Sequence, residues 1–151
     1  MIDEELVTRV IDRDWRDFEA ACRRLGVGIP TIAGQRISIP CIPAASADQY
    51  LAIVECVDYD AQAPLLQFAD PAGSGDIGRQ WWPRMATTPI NNIVLDGANT
   101  PILCVPGTLG YHLHPSHCNE QHPRTAWRLP VVAAILHRFL HQWGPYQGRG
   151  L

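Results

Sequence analysis

The chain has 151 residues and a formal net charge of −3 at pH 7, with 46% hydrophobic and 18% charged residues. One domain, residues 1–151, accounts for this length, and a chain of this size buries a core without disulfides or a structural metal. The acidic balance argues against a nucleic-acid-binding protein, and no apolar stretch approaches the roughly 20 residues of a membrane span. The opening Met-Ile-Asp-Glu-Glu is unlike a signal peptide. We therefore expect a cytoplasmic protein that binds neither nucleic acid nor membrane.

Residues 3–25 predict one amphipathic helix, because apolar side chains recur at steps of three or four residues. Asp3 is the expected N-cap, and Gly26 is the expected terminator. The apolar stripe consists of Val7, Ile11, Trp15, Phe18, Cys22 and Leu25. The opposite face carries arginines among acidic residues.

Residues 27–68 predict a sheet. Ile37-Ser-Ile39 alternates in polarity, whereas 50–57 is almost continuously apolar, as expected for a strand in the middle of a sheet. A further short strand is predicted at 65–68, after Pro64. The resulting order of elements, a helix followed by antiparallel strands, indicates an α+β fold.

Residues 69–100 are rich in Gly, Pro, Asp and Asn, which predicts a long and mostly irregular flap. A short strand with Cys104 and a histidine-rich loop follow over 101–127. The last strong element is a helix over 130–143, with Pro130 in its first turn, where the missing N–H costs nothing.

Five widely spaced cysteines predict free thiols that are mostly buried and structural. Cys104 lies in Pro101-Ile-Leu-Cys-Val-Pro-Gly107, where a strand runs into a turn, and such a position can bring a side chain to solvent. A thiolate there would be a nucleophile, with nearby histidines as partners. A buried strand cysteine is the alternative.

The segment Tyr111-His-Leu-His-Pro-Ser-His-Cys-Asn-Glu-Gln-His122 concentrates imidazoles and a thiol. Both are zinc ligands, although the spacing matches no standard zinc finger. The candidate ligands are His112, His114, His117, Cys118 and His122. Alternatively, these histidines are hydrogen-bonding groups beside a reactive thiol, and no metal is bound.

Taken in order, these elements resemble a ubiquitin-conjugating enzyme. That fold has an N-terminal helix, an antiparallel meander, a proline-rich segment ending in phenylalanine, a flap, the active cysteine, a tryptophan and a central helix. The matching segments here are Val57-Asp-Tyr-Asp-Ala-Gln-Ala-Pro-Leu-Leu-Gln-Phe68-Ala-Asp-Pro, Ile102-Leu-Cys-Val105, and Trp127 before helix 130–143. The resemblance covers most of the chain and implies an α+β, UBC-like fold that is C-terminally truncated relative to larger members.

The family's His-Pro-Asn motif before the cysteine is absent, and the nearest residues are Thr88-Pro-Ile-Asn91-Asn92 and Asn99. The histidine-rich segment also widens the gap between cysteine and tryptophan. This pattern is similar to prokaryotic ubiquitin-conjugating-like proteins, of which one group has its histidine after the cysteine. Such proteins are encoded beside a ubiquitin-like protein, an activating enzyme and a JAB-type peptidase, as in bacterial Bil-type antiphage systems. The resemblance therefore implies a role in antiviral defence.

The resemblance implies that Cys104 accepts a ubiquitin-like protein from the activating enzyme as a thioester and passes it to an amine of a target protein. The tetrahedral oxyanion needs a hydrogen-bond donor. His112 and His114 are the candidates, with Asn99 as an alternative, and no cofactor is implied. All twelve basic residues of the chain are arginine. A carrier of an amine-reactive group gains by having no lysine of its own, although the codon bias of a GC-rich genome also explains this composition.

In conjugating enzymes the first helix helps to bind the activating enzyme, so Arg9, Arg13 and Arg16 are the expected docking residues. Two other functions stay open. The first alternative to the carrier is an inert UBC-like adaptor, in which Cys104 is structural. The second is a small zinc-binding protein that uses the cluster at 112–122.

Overall fold

A computed structural model describes residues 3–86, 93–95, 100–117 and 119–151. The helices are α1 (Glu4–Leu25), α2 (Leu109–Leu113) and α3 (Leu129–His141), and 3-10 turns span Arg79–Trp81 and Arg124–Trp127. The strands are β1 (Thr31–Ala33), β2 (Arg36–Cys41), β3 (Tyr50–Glu55), β4 (Leu65–Ala69), β5 (Pro83–Met85), β6 (Ile93–Leu95), β7 (Pro101–Leu103) and β8 (Tyr146–Arg149). Over these residues no helix has the length and apolar character needed to span a membrane.

The protein is α+β: its N-terminal helix is followed by a four-stranded antiparallel sheet in the order β1-β2-β3-β4. The register places Ile37 opposite Val54, and Val54 opposite Leu66. Alternate residues of β2 are buried, so one face of this strand meets the core and the other faces solvent. The predicted strands around 37–39, 50–57 and 65–68 are thus confirmed.

Helix α1 has the ends that the sequence predicts. The Asp3 side chain accepts a hydrogen bond from the Glu5 N–H at 2.9 Å, and Gly26 closes the helix in a left-handed conformation with φ of 65°. The buried stripe includes Val7, Ile11 and Phe18. These side chains share one core with the sheet and with α3.

Three aromatic side chains connect the segment after the sheet to this core. Trp82 is fully buried, with its ring centroid 5.0 Å from that of Phe68 on β4 and 6.2 Å from that of Phe139 on α3. The Phe68 and Phe139 centroids are 5.5 Å apart. This packing holds the beginning of the predicted flap against the sheet and α3.

The structure corrects several predicted boundaries. The flap at 69–100 contains β5 and β6, and residues 101–127 contain α2, where the sequence indicated a loop. Strand β8 was not predicted, and it pairs with β5. The last helix ends at His141, two residues before the predicted end at Trp143. The elements that the sequence does not predict are three to five residues long, too short for a hydrophobic period to reveal them: β5, β6, α2 and β8.

A buried carboxylate joins α1 to the start of α3. Asp14 is fully buried, and it accepts hydrogen bonds from Arg13, Arg128 and Tyr59, the last at 2.5 Å. Burial disfavours the ionised carboxylate, but these bonds outweigh that effect and hold the pKa of Asp14 well below its usual range. The Tyr59 hydroxyl also accepts the N–H of Leu129 at 2.8 Å, so it fixes the first turn of α3.

We predict that Asp14→Asn lowers the free energy of unfolding by about 3 kcal/mol, near the lower end for breaking a buried ion pair, because Arg13 and Arg128 both reach solvent. Asp17→Asn is the matched control, since Asp17 is exposed on the same helix and its loss costs less than about 0.5 kcal/mol. Urea denaturation followed by circular dichroism measures both values. Equal stability of the two variants would contradict this role for Asp14.

Candidate functional site

Cys104 follows directly after β7, in a turn that one hydroxyl holds together. The side chain of Thr108 is fully buried, and its Oγ1 lies 2.8 Å from the Leu103 carbonyl and 2.9 Å from the Val105 carbonyl. The same oxygen accepts the Val105 N–H at 3.4 Å. The backbone on both sides of Cys104 is therefore fixed, which is what a positioned nucleophile requires.

Two glycines let other segments approach this turn closely. Gly107 has a φ of +100°, and a Cβ there would lie 2.9 Å from the Ala126 carbonyl oxygen, in the turn that carries Trp127. A Cβ on Gly110 of α2 would lie 2.4 Å from the Leu103 carbonyl oxygen. Side chains at either position would push the Cys104 turn away from its neighbours.

The side chain of Cys104 is buried, which agrees with the interpretation as a buried strand cysteine and not with a side chain brought to solvent. It exposes 7% of its surface, and burial raises the pKa of its thiol. The other described cysteines, Cys22, Cys41 and Cys56, expose at most 4%, and burial raises the pKa of each to about 12. All four are free thiols, as predicted. Cys104 is thus the most accessible of them.

A cavity of about 520 Å³ opens between the loop before β4 and the histidine-rich segment. Its volume falls within the range of ligand-binding clefts. Helix α2 forms one wall through Leu109, His112 and Leu113, and the indole of Trp127 forms another. The remaining lining residues are Ala61, Gln62, Ala63, Glu120, Gln121 and His122.

Glu120 is the centre of a hydrogen-bonded cluster at the edge of this cavity. Its Oε1 lies 2.7 Å from His117 Nδ1, and its Oε2 lies 3.1 Å from His122 Nε2. The Tyr111 hydroxyl donates to Oε2 at 2.7 Å. The hydrogen bond with His117 contributes most to lowering the pKa of Glu120, followed by those with Tyr111 and His122, and the pKa falls to about 2. Glu120 is therefore ionised at neutral pH.

The structure separates the two histidines that were predicted to support catalysis. His112 lines the cavity, its Nε2 is buried without a hydrogen-bond partner, and burial lowers its pKa. His114 is not among the lining residues, and its Nδ1 accepts the Ser116 N–H at 3.2 Å. Only His112 of this pair therefore faces the space that a substrate can enter.

The other predicted site residues are placed as follows. Asn99 and Cys118 lie outside the described residues. His117 and His122 meet at Glu120, and the rings of His122 and His112 lie 4.9 Å apart. Among the described side chains, no group of three His, Cys, Asp or Glu residues is arranged to hold a metal ion as it stands.

The arginines of α1 differ in their surroundings. Arg13 is held by Asp14 and also donates to Asp60 Oδ2 at 3.1 Å. Arg9 pairs with Glu5 on the helix surface, and Arg16 is exposed. Arg13 therefore has a structural role in addition to being, with Arg9 and Arg16, a candidate docking residue, since its side chain is half exposed.

Sequence reasoning missed Thr108 and the central position of Glu120. Glu120 could have been found from its spacing, because it lies two or three residues from His122 and His117 in a polar segment. Thr108 gives no comparable signal, since a threonine after a Pro-Gly turn is common. No protein-family model matches this sequence, and a search of curated proteins gives no significant match.

We predict that iodoacetamide modifies Cys104 before Cys22, Cys41 and Cys56 in the native protein, because Cys104 is the most exposed of the four. The rate should keep rising above pH 9, since burial raises the thiol pKa and the thiolate is the reacting form. The measurement is mass spectrometry of a Cys118→Ser variant, with denatured protein as the control. A rate that levels off below pH 8, or faster modification of Cys41, would contradict this assignment.

Proposed function

We propose that this protein is a ubiquitin-conjugating-like carrier that holds a ubiquitin-like protein as a thioester on Cys104. The observation that carries the proposal is the position of Cys104. Its turn, fixed by Thr108, follows an N-terminal helix and a four-stranded antiparallel sheet, and precedes the Trp127 turn and helix α3. This order of elements is the one that the resemblance implies.

In the first step, the Cys104 thiolate attacks the carbonyl carbon of the thioester between the activating enzyme and the ubiquitin-like protein. A new C–S bond forms, the thiolate of the activating enzyme leaves, and it takes up the proton that Cys104 gave up. Because one thioester replaces another, the exchange is close to balanced. The raised thiol pKa makes the thiolate scarce but intrinsically more nucleophilic.

In the second step, a target amine attacks the thioester on Cys104. The C–N bond forms, the C–S bond breaks, Cys104 leaves as a thiolate, and a base takes the proton of the amine. The candidate hydrogen-bond donor to the oxyanion in this step is His112, which lines the cavity. Cys104 is not among the residues that line this cavity. A chain whose basic residues are all arginine offers no lysine of its own as acceptor.

The partners follow from the same proposal. They are an activating enzyme, a ubiquitin-like protein, a target protein and a JAB-type peptidase that removes the modification. The resemblance of the sequence is what supports bacterial antiviral defence in the cytoplasm as the biological role of this protein.

A second candidate function is an inert adaptor with the same fold. The burial of Cys104 favours it, because a thiol that exposes 7% of its surface requires local movement before a partner can reach it. In an adaptor Cys104 fills space, and the surface only docks the ubiquitin-like protein or the activating enzyme.

The test is a charging assay with ATP, the activating enzyme and the ubiquitin-like protein that the resemblance implies as partners. We expect a reductant-sensitive adduct that Cys104→Ala abolishes and that Cys118→Ala retains. Within the range where chemistry limits the rate, charging should accelerate with pH, as the thiolate fraction of Cys104 grows.

The control is complex formation measured with Cys104→Ala under the same conditions. A stable complex without any adduct, from partners that are active with each other, would overturn the carrier and support the adaptor. An adduct that survives in Cys104→Ala would also overturn the proposal, because another residue would then carry the acyl group.

We further predict that Arg9→Glu combined with Arg16→Glu slows charging at least tenfold at low salt, if α1 docks an acidic surface of the activating enzyme. Arg23→Glu is the matched control, since Arg23 pairs with Glu19 as Arg9 pairs with Glu5, four residues apart on the same helix. An equal effect of both changes would contradict a specific docking surface. Arg13 is left intact because it holds Asp14.

A further inference from the structure

In the Glu120 cluster two imidazoles each lie within hydrogen-bond distance of the Glu120 carboxylate, one on each oxygen. His117 Nδ1 lies 2.7 Å from one carboxylate oxygen of Glu120, and His122 Nε2 lies 3.1 Å from the other. Around a tetrahedral zinc ion with bonds of about 2.0–2.1 Å, neighbouring ligand atoms are about 3.3 Å apart. Each nitrogen–oxygen pair is thus already closer than the ligand spacing of such a site, and the side chains would have to move apart to admit the ion.

A fourth donor lies beside these three. The ring centroid of His112 is 4.9 Å from that of His122, and two imidazoles on one tetrahedral zinc have centroids about 5 Å apart. His112 Nε2 is buried without a hydrogen-bond partner, which is an unusual state for a polar atom. Binding of a metal ion to this nitrogen removes the free-energy cost of leaving it unpaired.

The backbone holds the cluster together through successive turns. His117 N–H donates to the His114 carbonyl at 2.8 Å, and Glu120 N–H donates to the His117 carbonyl at 2.9 Å. Tyr111 stacks on His117 with centroids 4.0 Å apart, and its hydroxyl donates to Glu120. Such outer contacts orient metal ligands and raise affinity.

The charges and protons of the cluster also suit a divalent cation. One carboxylate and three neutral imidazoles leave a bound Zn²⁺ with a net charge of +1, and zinc accepts nitrogen and oxygen ligands of this kind. Zinc binds each imidazole through a nitrogen lone pair, so the nitrogen that ligates the ion must carry no proton.

We propose that His117, Glu120 and His122, completed by His112, form a zinc site at the edge of the cavity. As they stand, no three of the described His, Cys, Asp and Glu side chains are arranged to hold a metal ion, so binding requires these side chains to move. Zinc replaces the hydrogen bonds of Glu120 with His117 and His122 and ties both ends of the segment 112–122 to one point. His114 takes no part, and the site does not depend on Cys104 or on the proposed carrier function.

The test is a titration of the purified full chain with zinc, in competition with a chromophoric chelator. We expect one zinc ion per chain, and at least about tenfold weaker binding in both Glu120→Gln and His122→Gln, since even second-shell changes cost 10–100-fold. His114→Gln is the matched control from the same segment and should bind within about twofold of the unchanged protein. Circular dichroism verifies that each variant is folded.

Cobalt replaces zinc in a second measurement that reports the ligand atoms. Tetrahedral Co²⁺ with nitrogen and oxygen ligands absorbs in the visible range without a sulfur charge-transfer band in the near ultraviolet. That spectrum, retained in Cys104→Ala, would support the site. Absence of binding at micromolar zinc, equal weakening by His114→Gln, or a sulfur charge-transfer band would each overturn it. Charging through Cys104 is measured separately, so the two proposals can fail independently.

Discussion

The buried carboxylate of Asp14 is the interaction on which the arrangement of this protein depends. Removing a carboxylate from water costs several kcal/mol, and the protein offsets that cost with two arginines and the Tyr59 hydroxyl. These donors come from α1, from the loop before β4, and from the residue preceding α3. One anion therefore fixes the relative positions of three segments that are distant in the sequence.

The loop before β4 connects the Asp14 network to the candidate site. Tyr59 holds the first N–H of α3, and the Asp60 carbonyl accepts the indole N–H of Trp127 at 3.1 Å. The loop that carries both residues continues into Ala61–Ala63, which lines the cavity opposite the histidines. The cavity thus lies between segments that the Asp14 network holds in place, although Asp14 itself is not part of its wall.

Two chemistries lie on either side of α2. Before this helix, Cys104 is held in a rigid and mostly dry turn, where burial keeps the thiol protonated. On the other side, Tyr111 of α2 and three residues after the helix form a polar cluster that is partly exposed to solvent: His117, Glu120 and His122. A carrier needs an accessible thiolate, and a metal centre needs converging lone pairs. Cys104 meets the first requirement only after a local movement exposes its thiol, and the Glu120 cluster supplies the second. His112 is named in both proposals, so they share this residue.

The sequence by itself determined the long elements: α1 with its caps at Asp3 and Gly26, the three principal strands and α3, because periodicity and capping residues act locally. It also placed the chemistry-bearing residues in 101–122. Tertiary structure alone decided the rest. It buried Cys104, moved His114 away from the cavity, and turned Arg13 towards Asp14 and Asp60. The burial of Cys104 and the hydrogen bond between Arg13 and Asp60 depend on contacts between segments far apart in the chain, which no local pattern encodes.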